Sequence, residues 1–533
     1  MMTNHRRFIA YGILSALLFW ISWPTASVSI LLFFALVPLL LIEHELSTSK
    51  EIRSSRYLFR YTFISFFFWN LACSYWIWNA SAAGMIIAVL LNSTMMSTVF
   101  LTYHFVKKRN NLFFSSIFFI AAWIGMEFFH HQWDFSWPWL TLGNAFAEHP
   151  SWIQWYEYTG VFGGSFWVLA VNVILFQTIL KTANISGITW EKAKQFIVPV
   201  ILIIVPIGIS YARYTSYDEK TNPCNIVIVQ PNIDPYKDKF GGMAEMSQVN
   251  TMIRLSDSLA HNNTEFFIWP ETALPNNIAE ESLESNPLIL SARTFLSKYK
   301  NGNIITGAAT YKTYTSEETV TARKFRTGEC CYDAFNTALL IENNPGIQIY
   351  HKSKLVAGVE QMPYPGLLKF LEPLALQMGG TFGSLGTQKE RKVLYTKSGI
   401  GVAPVICYES VYGEYVTGYV KNGAQMIAII TNDGWWGNTA GYHQHAAYAR
   451  LRAIETRRSI ARSANTGTSC FINQRGDVSD ATEWWKADAK NGNVNLNEEM
   501  TFYVQYGDWF AYFASLIAVL FFAFSFMKKI RIV

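Results

Sequence analysis

Charge is what this sequence has least of. Asp, Glu, Lys and Arg make up 15% of its 533 residues, against about 25% in an ordinary globular chain. A surface facing water on all sides needs more. Net charge is +5, too small for a nucleic-acid footprint, so no nucleic-acid partner is expected. Cysteine is scarce too: Cys73, Cys224, Cys330, Cys331, Cys407 and Cys470 form no C-x-x-C and no zinc spacing. Adjacent Cys330 and Cys331 are hard to bridge to each other without strain, although an oxidising compartment would permit a bridge through Cys224 or Cys470. The absence of G-x-S-x-G removes the usual signature of a Ser/His/Asp hydrolase. His443 and His445 make an H-x-H pair, but no further His or acidic cluster completes a metal site. Neither a metal nor a cofactor is expected.

What the chain has is apolar bulk, 51% hydrophobic and 16% aromatic. Disorder and fibrous architecture are excluded, because neither tolerates this. The bulk is concentrated. A bilayer span needs about 20 mostly apolar residues, and Phe8–Trp23, Val28–Ile42, Tyr57–Trp78, Met85–Phe105, Leu112–Phe129, Val161–Ile179 and Phe196–Tyr211 are candidates. Val28–Ile42 is short, and Pro38 inside it is expected to kink the helix. Asn222 to Tyr506 has no such run, and Trp509–Met527 closes the chain. The expected organisation is a seven-helix transmembrane domain over 1–215, a catalytic domain over 216–506, and a final transmembrane helix with its tail over 507–533. A signal peptide is the alternative for the first span, but more spans follow at once and no small-residue cleavage site precedes Pro24.

Lys and Arg fall in alternate loops: Arg6 and Arg7; Lys50, Arg53 and Arg56; Lys107, Lys108 and Arg109; Lys181, Lys192 and Lys194; and Lys528, Lys529 and Arg531. The loops near Thr25, Ala80 and His130–Ser151 hold none. The positive-inside rule puts both termini in the cytoplasm and the polar block outside, which is the periplasm of a Gram-negative cell. A multi-pass inner-membrane location follows. Trp133, Trp137, Trp139, Trp152 and Trp155 suit an interfacial aromatic belt, or alternatively a lipid-contacting floor.

The polar block alternates short β-rich runs with helical patterns, as a layered α/β fold does. Asn225–Gln230, Phe266–Trp269, Asn303–Gly307, Thr337–Ile341, Val402–Ile406, Met426–Thr431 and Ser459–Asn465 predict strands. Met246–Ala260, Asn286–Tyr299 and His443–Arg458 predict helices. Polar residues follow the strands where loops converge over a sheet: Glu271, Cys407 and Asn432-Asp433. Cys407 is a nucleophile candidate or a buried structural cysteine. A carboxylate to take its proton and a cation to stabilise the charge could come from Glu271 and Lys352, although sequence distance alone proves neither.

Four motifs carry a resemblance: W-P-E-T-A-L-P (Trp269–Pro275), Y-H-K-S-K-L-V-A-G-V-E (Tyr350–Glu360), I-C-Y-E (Ile406–Glu409) and T-N-D-G-W-W-G (Thr431–Gly437). Together they resemble the Glu-Lys-Cys motifs of the nitrilase superfamily. A nitrilase-like domain inserted between seven N-terminal spans and one C-terminal span is similar to the apolipoprotein N-acyltransferase family. The resemblance implies an αββα sandwich. It implies an acyltransferase that moves a fatty acyl chain from a phospholipid, typically phosphatidylethanolamine, onto Cys407 as a thioester. The chain then passes to the N-terminal amine of a diacylglyceryl-cysteine lipoprotein. It assigns Glu271 as general base, Lys352 as oxyanion stabiliser, Cys407 as nucleophile and Glu360 as a supporting glutamate. Tyr408 and Glu409 would shape the pocket, with Asn432 and Trp435 as further supporting residues. The family commonly reads L-V-P-F-G-E where this chain has Leu355-Val356-Ala357-Gly358-Val359-Glu360, a change that could loosen the turn holding Glu360.

Pro363–Met378 carries Leu367, Leu368, Phe370, Leu371, Leu374 and Leu376. It reads as a core helix or as a lid dipping into the outer leaflet. Two other functions compete: a membrane-tethered nitrilase-type amidohydrolase, for which seven spans are more than a tether needs, and a non-catalytic receptor or transporter. The spans hold few charges for the latter, with Glu127, His130, His131 and Glu157 the main ones.

Overall fold

A computed structural model describes residues 2–48, 53–183, 185, 187, 189–325, 330–364 and 384–528. The proposed lid falls almost wholly outside the described residues. The chain forms two compact units: Met1–Tyr75, Ala83–Ser216 and Asp508–Val533 in one, Trp76–Ala82 and Tyr217–Gly507 in the other.

The first unit is helical. Among the described residues, six helices are long and apolar enough to cross a membrane: Ser29–Thr48, Ala82–Lys107, Leu112–His130, Tyr156–Thr182, Trp190–Ser216 and Trp509–Phe526. Two more, Met2–Ser22 and Ser54–Ser74, have 21 residues each. They carry Arg6 and Arg7, and Arg56, Arg60 and Asn70, among their apolar residues. Every predicted span thus meets a helix, but the count of seven N-terminal crossings is not reached on length and composition alone. Two polar side chains inside this unit show how neighbours can satisfy buried groups where water is excluded. Asn172 donates to Leu32 O at 3.0 Å and accepts from Leu36 N at 2.8 Å. Buried Glu43 faces His104 at 2.9 Å and also takes the ammonium of Lys107.

The second unit is built on two sheets. The larger runs β14-β1-β2-β4-β6-β5, with β3 on β4 and β7 on β6. Its strands are β1 (Pro223–Gln230), β2 (Thr264–Ile268), β3 (Leu274–Ala279), β4 (Asn303–Tyr314), β5 (Arg323–Lys324), β6 (Cys331–Ile341), β7 (Gln348–His351) and β14 (Asp488–Asn495). The smaller runs β13-β12-β11-β10-β9-β8. It comprises β8 (Leu394–Tyr395), β9 (Gly401–Ile406), β10 (Met426–Thr431), β11 (Ile460–Ala464), β12 (Cys470–Ile472) and β13 (Val478–Ser479). The central strands β1, β2 and β4 pair in parallel, as do β9, β10 and β11. Of these, β9 and β10 are nearly continuous apolar runs, buried along their whole length.

The sheets face each other, with Ser463 Oγ of β11 donating to Val229 O of β1 at 2.7 Å. Helices α1 (Glu245–Leu259) and α2 (Pro287–Leu296) cover the larger sheet, burying Val249, Met252, Ile289 and Phe295 against Val227, Val229 and Phe267. Helices α3 (Gly413–Lys421) and α4 (Ala440–Thr456) lie on the smaller one. The result is the αββα sandwich. Local signals set the helix limits. Asn286 accepts from Leu288 N with Pro287 at the first helical position. Thr439 caps α4 and Arg457, at φ 49°, ends it.

Candidate active site

Cys407 stands at the end of β9 and opens a short 3-10 turn, Cys407–Val411. Its φ is +48°, a left-handed conformation that costs a non-glycine residue about 1–3 kcal/mol and persists only when its surroundings enforce it. They do. Ser410 Oγ donates to Cys407 O at 2.7 Å, and His445 Nε2 lies 3.1 Å from the same oxygen. Glu409 accepts from Ile406 N at 2.9 Å.

Glu271 follows β2 and Trp269-Pro270. Its backbone lies so close to Gly307 of β4 that a Cβ there would come within 2.6 Å of Glu271 Cα and 2.4 Å of Thr272 N. Lys352 follows β7, with its N–H on Asn336 O at 2.8 Å. The three elements bring the side chains together in a buried pocket. Lys352 Nζ is 3.1 Å from Glu271 Oε1 and 2.8 Å from Glu360 Oε1. Asn336 Nδ2 donates to Glu271 Oε1 at 2.7 Å and to Glu360 Oε1 at 3.3 Å.

Electrostatics follows from burial and these neighbours. Burial pushes the Cys407 thiol far up, Glu271 adds to this, and Lys352 pulls the other way. The resting sulfur is therefore a thiol that needs a base. Burial alone would lower Lys352, but Glu271 and Glu360 outweigh it and hold the ammonium well above its usual value. The pocket thus contains a protonated thiol, a carboxylate and a fixed cation, the groups for acyl transfer through a covalent intermediate. Among the described residues, no group of three or more His, Cys, Asp or Glu could hold a metal.

Two comparisons bear on this arrangement. The model of the apolipoprotein N-acyltransferase N-terminal domain matches residues 15–174, and that of carbon-nitrogen hydrolases matches 226–498. The apolipoprotein N-acyltransferase of Chlorobaculum tepidum is 32% identical over 516 residues, 93% of this chain and 92% of that one. This chain belongs to the apolipoprotein N-acyltransferase family. Family members from Geobacter metallireducens and Thermotoga maritima are similar at 26% and 23% identity, over 98% and 95% of this chain and 96% and 92% of theirs.

The other expected site residues of this family member divide into two groups. Glu360 is in the pocket despite the altered turn: Gly358 takes φ +77°, Glu360 N bonds Val356 O at 2.9 Å, and Glu360 Oε2 accepts from Val356 N at 2.9 Å. Glu409 is buried and joins two motifs. It accepts from Ser353 N at 2.7 Å and Tyr350 Oη at 2.5 Å on one side, and from Ile406 N on the other. Tyr408 is buried edge-to-face on Tyr412 at 5.2 Å. Asn432 and Trp435 follow β10, the strand paired with the one that leads to Cys407. Asn432 Oδ1 accepts from Asn465 at 3.1 Å, and Trp435 packs with Tyr236 at 5.2 Å and Phe240 at 6.3 Å.

Several supports gain their meaning only in the fold. Asn336 lies mid-strand in β6. His445 of the H-x-H pair is in a buried network instead: Nδ1 is 3.0 Å from Asp433 Oδ1, and Arg462 Nη2 is 2.8 Å from Asp433 Oδ2. The segment Trp76–Ala82, between two long helices, belongs to the sandwich unit. Trp76 packs on Trp436 at 4.9 Å, Asn79 Nδ2 donates to Trp436 O at 2.7 Å, and Trp436 stands edge-on to His445 at 5.3 Å. Gly441 makes room for it: a Cβ there would strike Trp76 at 2.5 Å.

Proposed function

We propose that this chain transfers a fatty acyl chain from a phospholipid to the N-terminal amine of a diacylglyceryl-cysteine lipoprotein, with Cys407 as nucleophile, Glu271 as general base and Lys352 as oxyanion stabiliser. The observation that carries it is the Glu271–Lys352–Glu360 cluster, its lysine and Glu271 buried, beside a protonated Cys407. In the first half, Glu271 takes the thiol proton as Sγ attacks the ester carbonyl. Lys352 faces the developing oxyanion. The ester C–O bond breaks, and Glu271 returns the proton to the departing lysophospholipid oxygen. In the second half, the lipoprotein amine attacks the thioester. Glu271 takes an amine proton, the C–S bond breaks, and the proton goes back to sulfur. One carboxylate serves both halves, and the kinetics are ping-pong.

Glu360 and Asn336 hold Lys352 and Glu271 in register, and Glu409 ties the lysine segment to the cysteine turn. Phosphatidylethanolamine is the proposed donor, and the inner membrane with the sandwich on the periplasmic side the proposed setting. The one-sided Lys and Arg loops support that orientation. The test is the full chain in phosphatidylethanolamine vesicles with a diacylglyceryl-cysteine peptide. The proposal expects an amide-linked acyl chain on the peptide and one lysophospholipid per transfer. Release of free fatty acid with an unmodified peptide would point to hydrolysis and overturn it.

A further inference from the structure

The loop after β1 carries a buried cation that the reaction scheme does not use. Lys239 is 2% exposed, whereas its neighbour Phe240 and nearby Tyr236 and Lys237 are exposed. A buried lysine is costly unless something specific compensates it. Its ammonium donates to the peptide oxygen of Glu271 at 2.9 Å. The loop that delivers it is itself fixed. Lys239 N bonds Asp234 O at 3.0 Å, and Gln248 Nε2 of α1 donates to Lys239 O at 3.0 Å and Met243 O at 3.1 Å.

The recipient peptide is unusual. It leads into Thr272, whose φ is +46°, and Gly307 presses on its other side, taking Pro270 O with its N–H at 3.1 Å. Beyond it, the Glu271 carboxylate faces Lys352 and Asn336, with Glu360 on the far side of Lys352 and the Cys407 thiol alongside. Two carboxylates against one lysine leave that pocket short of one positive charge.

We propose that Lys239 is a positioning residue for Glu271: its ammonium holds the turned backbone that aims the carboxylate, and it supplies the positive charge the buried pocket otherwise lacks. Burial outweighs the opposing pull of the Glu271 carboxylate and leaves Lys239 at about 7. The ammonium therefore gives up its proton near neutral pH, and its hold on Glu271 is fullest on the acidic side of that point. This rests on Glu271 being the base.

The test is the rate of Cys407 thioester formation from a soluble short-chain ester, per folded enzyme, across pH, in the full chain. Lys239→Met should lower kcat by about ten- to a hundredfold with KM little changed. It should also move the acidic limb of the profile to higher pH, because a carboxylate that loses a nearby cation holds its proton longer. Lys239→Arg should restore the limb, and Lys237→Met, on the exposed side of the loop, should match wild type. Wild-type kcat in Lys239→Met, or a uniform loss with the limb unmoved and no recovery in Lys239→Arg, overturns the proposal. If the Lys239 variants do not fold, Gln248→Leu keeps the ammonium but frees its main chain. A slower rate there supports the proposal, and a wild-type rate overturns it. Persistence of the thioester in Glu271→Gln would instead reject the reading of Glu271 itself, so the two failures are distinguishable.

Discussion

Lys352 holds its ammonium 3.1 Å from Glu271 and 2.8 Å from Glu360; Lys352 and Glu271 are buried and Glu360 is partly so. Neither carboxylate can be released from this arrangement cheaply. Removing one partner of a buried ion pair leaves the other uncompensated, at a cost of about 3–5 kcal/mol. The arrangement also separates two jobs. The proposed scheme gives Glu271 the proton exchange with sulfur and keeps Glu360, bound to Val356 N and Lys352, as its support.

Lys352→Met should therefore lose both stability and chemistry. Melting of the sandwich unit should show the loss of about 3–5 kcal/mol, and thioester formation should fall about a hundred- to a thousandfold with the oxyanion's cation gone. Glu271→Gln should keep most of the stability, because its amide oxygen still accepts from Asn336 and Lys352, yet lose about a hundred- to ten-thousandfold in rate. Rates and melting curves of the two variants, side by side, check this.

Alkylation of Cys407 offers a second measure. Burial and Glu271 hold the thiol protonated, and Lys352 opposes them. Wild-type protein should react slowly with iodoacetamide at neutral pH, and Lys352→Met more slowly still, followed by mass change of the Cys407 peptide.

The Asp433–Arg462 pair predicts a pH-dependent stability. Burial raises the Asp433 carboxyl, but Arg462 and His445 outweigh it, and it ends below its usual value of 3.8. A depressed carboxylate contributes stability that is present above its unfolded value and lost as pH falls through the folded one. Asp433→Asn should thus be destabilised by about 3–5 kcal/mol near neutral pH. The gap to wild type should close only as pH falls below 3.8, read by denaturant unfolding at each pH.

Trp76 is the fourth case. It is buried against Trp436 and Gly441, whereas Trp78 two residues on is exposed. Trp76→Ala should cost about 3–5 kcal/mol and slow thioester formation through the Trp436–His445–Cys407 contacts. Trp78→Ala should do neither. Thermal unfolding and acylation rate of the pair decide it.

How much of this could be read beforehand differs by element. The central strands were legible because strands buried on both faces are uninterrupted apolar runs; Met426–Thr431 has the predicted bounds. β14 was not, because DAKNGNVN carries almost no apolar signal and is a strand only through its pairing with β1. Glu271 and Cys407 stood out through their motifs and their places after expected strands, Lys352 through its motif alone. Asn336 and Lys239 were not: each matters through a partner 65 or 32 residues away, and local sequence carries no trace of it. His445 was visible as half of an H-x-H pair, but its partners Asp433 and Arg462 are brought to it by the fold.

The central claim is that acyl transfer passes through Cys407. Its most direct test is intact-peptide mass spectrometry of the Cys407 segment after the full chain is incubated with phospholipid and no acceptor. The account predicts a fatty-acyl adduct on Cys407, absent in Cys407→Ala, that disappears when a diacylglyceryl-cysteine peptide is added and reappears on its amine. An unmodified Cys407 while the peptide is still acylated would contradict it.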